Sequence, residues 1–133
     1  MLIYTGLLLP NMNNLAKKIV AYLTVNSIGF ELIDFSTGYI DGEEEKIVRW
    51  DNDKLGKIPD EGELNSALDI YVYNEASLDV RHKRDNLLKE SDWTMLSDVP
   101  VDSSLWGVYR EQLRKVPTQS GFPFAVVWPL KPE

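Results

Sequence analysis

From Asp60 to Val99 the chain carries no proline, and this run opens as a helix should. Asp60 and Glu63 stand three apart, the spacing at which each side chain can bond the other's backbone N–H in a capping box. Gly62 within the first turn weakens that signal slightly. Acids gather early (Asp60, Glu61, Glu63) and bases late (Arg81, Lys83, Arg84, Lys89), a polarity that complements the helix dipole. Leu64, Ala67, Leu68, Tyr71, Val72 and Leu78 form an apolar stripe, which fades from Asp79 to Asn86 and returns at Leu87 and Leu88. The pattern predicts one helix over residues 60–91, about 45 Å long at about 1.5 Å per residue. The core of a 133-residue chain is too small to cover a helix of that length. Part of it is therefore expected to project or to pack on another chain, which makes self-association through the long helix an expectation.

Upstream, residues 2–9 read as a strand with a turn near Gly6, ended by Pro10 and the asparagines that follow. Leu15, Ile19, Val20, Tyr22 and Leu23 then make one face of a helix over residues 13–25, with Asn13 or Asn14 as N-cap and Gly29 as a left-handed C-cap position. Two strands are expected next, over residues 30–35 and 46–50. The loop between them holds Ser36, Thr37, Gly38, Asp41, Gly42 and three consecutive glutamates. An antiparallel hairpin is the simplest arrangement. Residues 51–59 read as a polar linker.

Downstream, residues 94–102 read as an extended link. Asp102, Ser103 and Ser104 can cap a second, short helix in which Leu105, Trp106, Tyr109 and Leu113 recur at near-helical spacing. Arg110, Arg114 and Lys115 lie toward its C-terminal end, and Pro117 stops it. From Gly121 to Pro132 prolines alternate with aromatics, so an extended or polyproline-like tail around a β-capable run, Phe124 to Trp128, is expected. The fold class is α+β. An N-terminal strand–helix–hairpin unit over 1–58 is followed, over 59–133, by the long central helix, the short helix and the Pro/Trp-rich tail.

Composition narrows the function classes. The formal net charge is −7, and residues 60–91 alone hold 8 acidic against 4 basic groups. Nucleic-acid binding, which needs clustered Lys and Arg, is not expected. The acidic stretch reads as a solvated helix face or, more sharply, as a docking face for a basic partner. With no cysteine, disulfides, thiolate nucleophiles and Cys-based metal sites are excluded. The N-terminal apolar run lacks the basic start of a signal peptide, and no segment approaches the about 20 apolar residues of a membrane span. The single histidine, His82, sits among Arg81, Lys83 and Arg84, a poor place for a general base. Glu43, Glu44 and Glu45 follow one another in a loop and cannot easily converge on one cation. Ser103 and Ser104 lack a histidine partner, and there is no phosphate-cradling glycine loop. No catalytic residue, metal or cofactor is expected, and the chain reads as a non-enzyme; a host or prophage enzyme is the remote alternative, disfavoured by the missing cysteine and the lone histidine.

Three of the four tryptophans and five of the seven prolines fall in the last third. Three blocks there stand out. R-D-N-L-L-K-E-S-D-W-T occupies 84–94, W-x-x-Y-R-x-x-L-R occupies 106–114, and P-x-x-x-G-F-P-F-x-x-x-W-P occupies 117–129. This order resembles the C-terminal module of tailed-bacteriophage tail assembly chaperones and tail-fibre-assembly-type proteins. Upstream, Trp50 and the string I-P-D-E-G-E-L (58–64) are similar to the lead-in of such proteins. The resemblance covers residues 47–132, departs at Met95, where the family usually has glutamine, and leaves residues 1–46 without a counterpart. It implies a non-enzymatic protein that binds a phage tail fibre or baseplate protein non-covalently. The protein would act in the host cytoplasm during assembly or persist as a structural component of the virion tail. Trp93, Trp106, Tyr109, Arg110 and Trp128 are the candidate partner-binding residues, since interface hot spots favour Trp, Tyr and Arg. The alternative is that these side chains pack on one another and cap the long helix.

Overall fold

The computed structural model describes residues 12–133. The strand expected over 2–9 lies outside the described residues. The elements are α1 (Asn14–Val25), an antiparallel hairpin of β1 (Phe35–Tyr39) and β2 (Glu45–Trp50), a one-turn helix α2 (Asn52–Leu55), the long helix α3 (Glu61–Glu90) and α4 (Ser103–Lys115). Short 3-10 turns follow α3 at Asp92–Met95 and α4 at Val116–Thr118. The mixed α+β class and the long central helix stand as the sequence indicates. The chain divides into two compact units, the first ending at Val72 and the second running from Tyr73 to Glu133.

In the first unit α1 starts where Asn13 accepts a hydrogen bond from the Ala16 N–H, the capping role expected of it. Its C-terminus differs from expectation. Ser27, not Gly29, takes the left-handed conformation, with φ 57°. The Ser27 N–H donates to the Thr24 carbonyl and the Ile28 N–H to the Leu23 carbonyl, a Schellman closure that brings Ile28 onto the core. Residues 30–34 are not a strand either. The Asp34 carboxylate accepts from the Glu31 N–H at 2.6 Å and pairs with Lys54 at 2.8 Å, and the Asp34 carbonyl accepts from the Asp51 N–H. These bonds fold the segment into a turn and shift the first strand to Phe35.

The hairpin turns at Asp41 and Gly42, both with positive φ, closed by the Glu43 N–H on the Ile40 carbonyl. Two successive positive φ values match the right-handed twist of the strands, and Asp-Gly favours them. The register slips between Ser36 and Thr37, where Ser36 faces Arg49 but Thr37 faces Ile47. Val48 is thus a bulge residue and stays exposed. The bulge turns Ile47 and Trp50, three residues apart, onto the same packed side, which strict alternation could not do. Around them gather Ile19, Val20, Leu23, Phe35, Leu55 and Leu64. Leu55 corrects the reading of 51–59 as a linker. Asp51 caps a helical turn there through the Asp53 and Lys54 N–H groups, and the turn delivers Leu55 into the core.

The capping box of α3 is present in both directions. The Asp60 N–H donates to Glu63 and the Glu63 N–H to Asp60, each at 2.8 Å. Leu64, Ala67 and Tyr71 are its buried positions, whereas Val72 and Leu78 of the expected stripe are exposed.

Candidate partner-binding site

The second unit is organised by one arginine. Asp102 caps α4 by accepting from the Ser104 and Leu105 N–H groups, which fixes the phase of the helix. Trp106, Tyr109, Arg110 and Leu113 then lie on its buried side. Leu105, grouped with them from spacing alone, points outward instead, beside Val108 three residues on. Arg110 reaches the end of α3 with three bonds, to the Leu88 carbonyl at 2.6 Å, the Ser91 hydroxyl at 2.8 Å and the Asp92 carboxylate at 2.8 Å. The last four carbonyls of a helix lack intrahelical partners and carry the negative end of its dipole. A guanidinium with several donors in a fixed fork is well matched to them. Ser91 also donates back toward the Leu87 carbonyl, and the fully buried Thr94 hydroxyl donates to the Ser91 carbonyl. The Asp92–Met95 turn, which replaces the start of the expected extended link, is locked by these bonds.

The contacts trace the path of the chain. Arg110 meets Leu88, whereas Phe122 meets Tyr73. Between residues 110 and 122 the chain therefore retraces fifteen residues of α3, about 22 Å at about 1.5 Å per residue. It then turns forward again. Phe124 also packs on Tyr73, Lys83 lies over the Trp128 ring at 4.5 Å, and Lys131 lies 5.8 Å from the Trp106 ring centroid. Gln119 fixes this turn by bonding both the N–H and the carbonyl of Val127. Gly121 fits because a Cβ there would collide with the Ala125 carbonyl. No strand forms over 124–128; residues 126–133 follow α3 without regular structure.

The five candidate residues thus fall into two groups. Trp106, Tyr109 and Arg110 are buried, Trp106 meeting Tyr109 edge-on at 5.7 Å. Burial and the nearby Glu90 carboxylate raise the Tyr109 phenol above its ordinary range. Trp93 leans on Trp106 at 6.1 Å but is 47% exposed, and Trp128 is half-buried against the Trp106, Tyr109 and Leu113 cluster. The helix end is capped by Arg110, while the tryptophans fill the angle between α3, α4 and the tail. Sequence reasoning missed Ser91, Asp92 and Thr94 as the partners of that cap, although all three stand in the 84–94 block. It also missed Met95, Leu96, Leu105 and Val108, which are exposed apolar side chains like Trp93. The three-residue spacing of Leu105 and Val108 on α4 was the available signal.

Among the described residues no group of three or more His, Cys, Asp and Glu could hold a metal ion, and no helix is long and apolar enough to cross a membrane. No curated protein and no solved structure matches the chain. One family does match, and it matches the part just described. The lead-in at Trp50 and 58–64, included in the resemblance seen from sequence, lies outside the matched stretch. The stretch that matches the phage tail assembly chaperone protein family is residues 77–133, somewhat under half of the chain, and it contains the Arg110 tie, the tryptophans and the tail.

Proposed function

We propose that this protein is a phage tail assembly chaperone that covers an apolar patch of a tail fibre or baseplate protein by non-covalent binding. The observation that carries the reading is the coincidence of the family match with a compact unit bearing exposed apolar side chains. Arg110 and the buried Trp106 and Tyr109 hold the frame. Trp93, Met95, Leu96, Leu105 and Val108 supply exposed apolar surface, the chemistry of an interface rather than of a reaction centre. Trp93 is the anchor, because it is large, half-exposed and braced from behind by Trp106.

Affinity capture of the tagged full chain from infected cells, with mass spectrometry of the co-purifying proteins, tests the reading. Recovery of a tail, fibre or baseplate protein supports it, and capture of none sinks it. Mass spectrometry of purified virions separates a chaperone that departs from a component that stays, since stoichiometric presence in virions would rule out a transient role. Trp93→Ala should weaken the captured complex by about 2 kcal/mol or more while leaving the thermal midpoint nearly unchanged. Trp106→Ala should instead cost about 3–5 kcal/mol of folding stability, because it opens a cavity in the cluster.

A further inference from the structure

The indole N–H of Trp106 is buried and meets no acceptor from the protein. A buried donor without a partner is costly, and such groups are rare in folded chains. Trp106 also lines a cavity of about 30 Å³, with Leu87, Trp93 and Tyr109 as further walls and Glu90, Ser91 and Lys131 completing the lining; the Ser91 hydroxyl is already engaged by the Leu87 and Leu88 carbonyls and Arg110. As it stands the cavity has room for about one water. The side that can yield is the tail. Leu130 is 92% exposed, and the Lys131 ammonium lies 5.8 Å from the Trp106 ring centroid. Among the described residues no hydrogen bond or ion pair joins residues 120–133 to α3 or α4.

We propose that Lys131 is a movable lid over a pocket that receives one apolar side chain of the partner together with a neutral acceptor beside it. That acceptor is a backbone carbonyl, which takes the Trp106 N–H. Three aromatic walls and a leucine select an apolar group. The unpaired indole N–H selects an acceptor. The Glu90 carboxylate beside the pocket disfavours an anionic acceptor, so the neutral carbonyl of an amide is the acceptor that fits. That the amide comes from a tail protein rests on the assembly reading. The pocket chemistry does not.

The test uses the full chain with its four tryptophans labelled with ¹⁵N, each indole signal assigned by a single Trp→Phe variant. N-acetyl-leucine methylamide is the neutral probe and N-acetyl-leucine its anionic counterpart. The Trp106 indole proton should move downfield and saturate with the neutral probe, with the Trp50 signal still. The anionic probe should bind several-fold more weakly. Lys131→Ala should bind the neutral probe several-fold more tightly, because the lid is shortened. Trp106→Phe keeps the ring and removes the donor, and should lose about tenfold in affinity as read from Trp93. A Trp106 signal unmoved by the neutral probe in both the natural chain and Lys131→Ala overturns the proposal, as does a persistent contact to bound water at that N–H throughout the titration. Capture of a tail protein alongside a silent Trp106 would leave the chaperone reading standing and remove only the pocket.

Discussion

Arg110 shows how much one side chain can decide in a unit of about sixty residues. Arg110 is 8% exposed, and its guanidinium bonds the Leu88 carbonyl, the Ser91 hydroxyl and the Asp92 carboxylate together. Arg110→Ala removes three charge-assisted bonds at once, although the Leu88 carbonyl still accepts from the Ser91 N–H and hydroxyl, so a loss of about 2–3 kcal/mol is expected in urea unfolding. Arg110→Lys keeps the charge without the planar fork and should recover only part of that loss. In the first unit the comparable residue is Asp34. The Lys54 ammonium and the Glu31 N–H hold its carboxyl below its ordinary value of 3.8, and in return Lys54 is held above its ordinary 10.5. A lowered acid stabilises the fold above its unfolded value, and that contribution is lost as pH falls through the folded one. A raised base stabilises below its unfolded value and loses that contribution as pH rises through the folded one. The stability gap between the natural chain and Asp34→Asn should therefore be flat through neutral pH. It should close in acid below about pH 4 and again in alkali above about pH 10. A denaturation series across pH reads this directly, and a gap independent of pH would refute the pairing.

At the level of elements, the helices were legible in the sequence wherever a cap accompanied an apolar stripe. Asn13, the Asp60–Glu63 pair and Asp102 each fix a start within one residue of expectation. Asp60→Ala should cost about 1 kcal/mol, because it removes one half of a reciprocal pair; circular dichroism during urea unfolding would register it. The strands and short turns were less legible, for a physical reason. Phe30 to Phe35 has the composition of a strand, yet the carboxylate of Asp34 bonds back to the Glu31 N–H and makes a turn cheaper there. The bulge at Val48 reverses the expected alternation, and Leu55 belongs to a helical turn too brief for any periodicity to reveal. The candidate site was half legible. The aromatic and arginine positions stood out by type, but their division into buried frame and exposed rim depends on the rotation of α4, which Asp102 sets from outside the motif.

For the molecule as a whole, the expectation that the long helix packs on another chain becomes a measurable statement. Ile70 and Leu78 remain exposed on α3. If they mediate self-association, sedimentation velocity should show a mass that rises with concentration, and Leu78→Glu should return it to that of the monomer. A monomer at every concentration would remove self-association from the account and leave the capture experiment unaffected. One further consequence lies in the reach of the Arg110 bonds, which span only 18 to 22 residues of sequence. Closing so short a segment sacrifices little chain entropy, and helical pairs built from near neighbours fold in microseconds to milliseconds. The end of α3 and the start of α4 should therefore find each other early. Substitutions around Arg110 would then slow refolding more than they speed unfolding, which makes this tie a nucleus as well as a clasp.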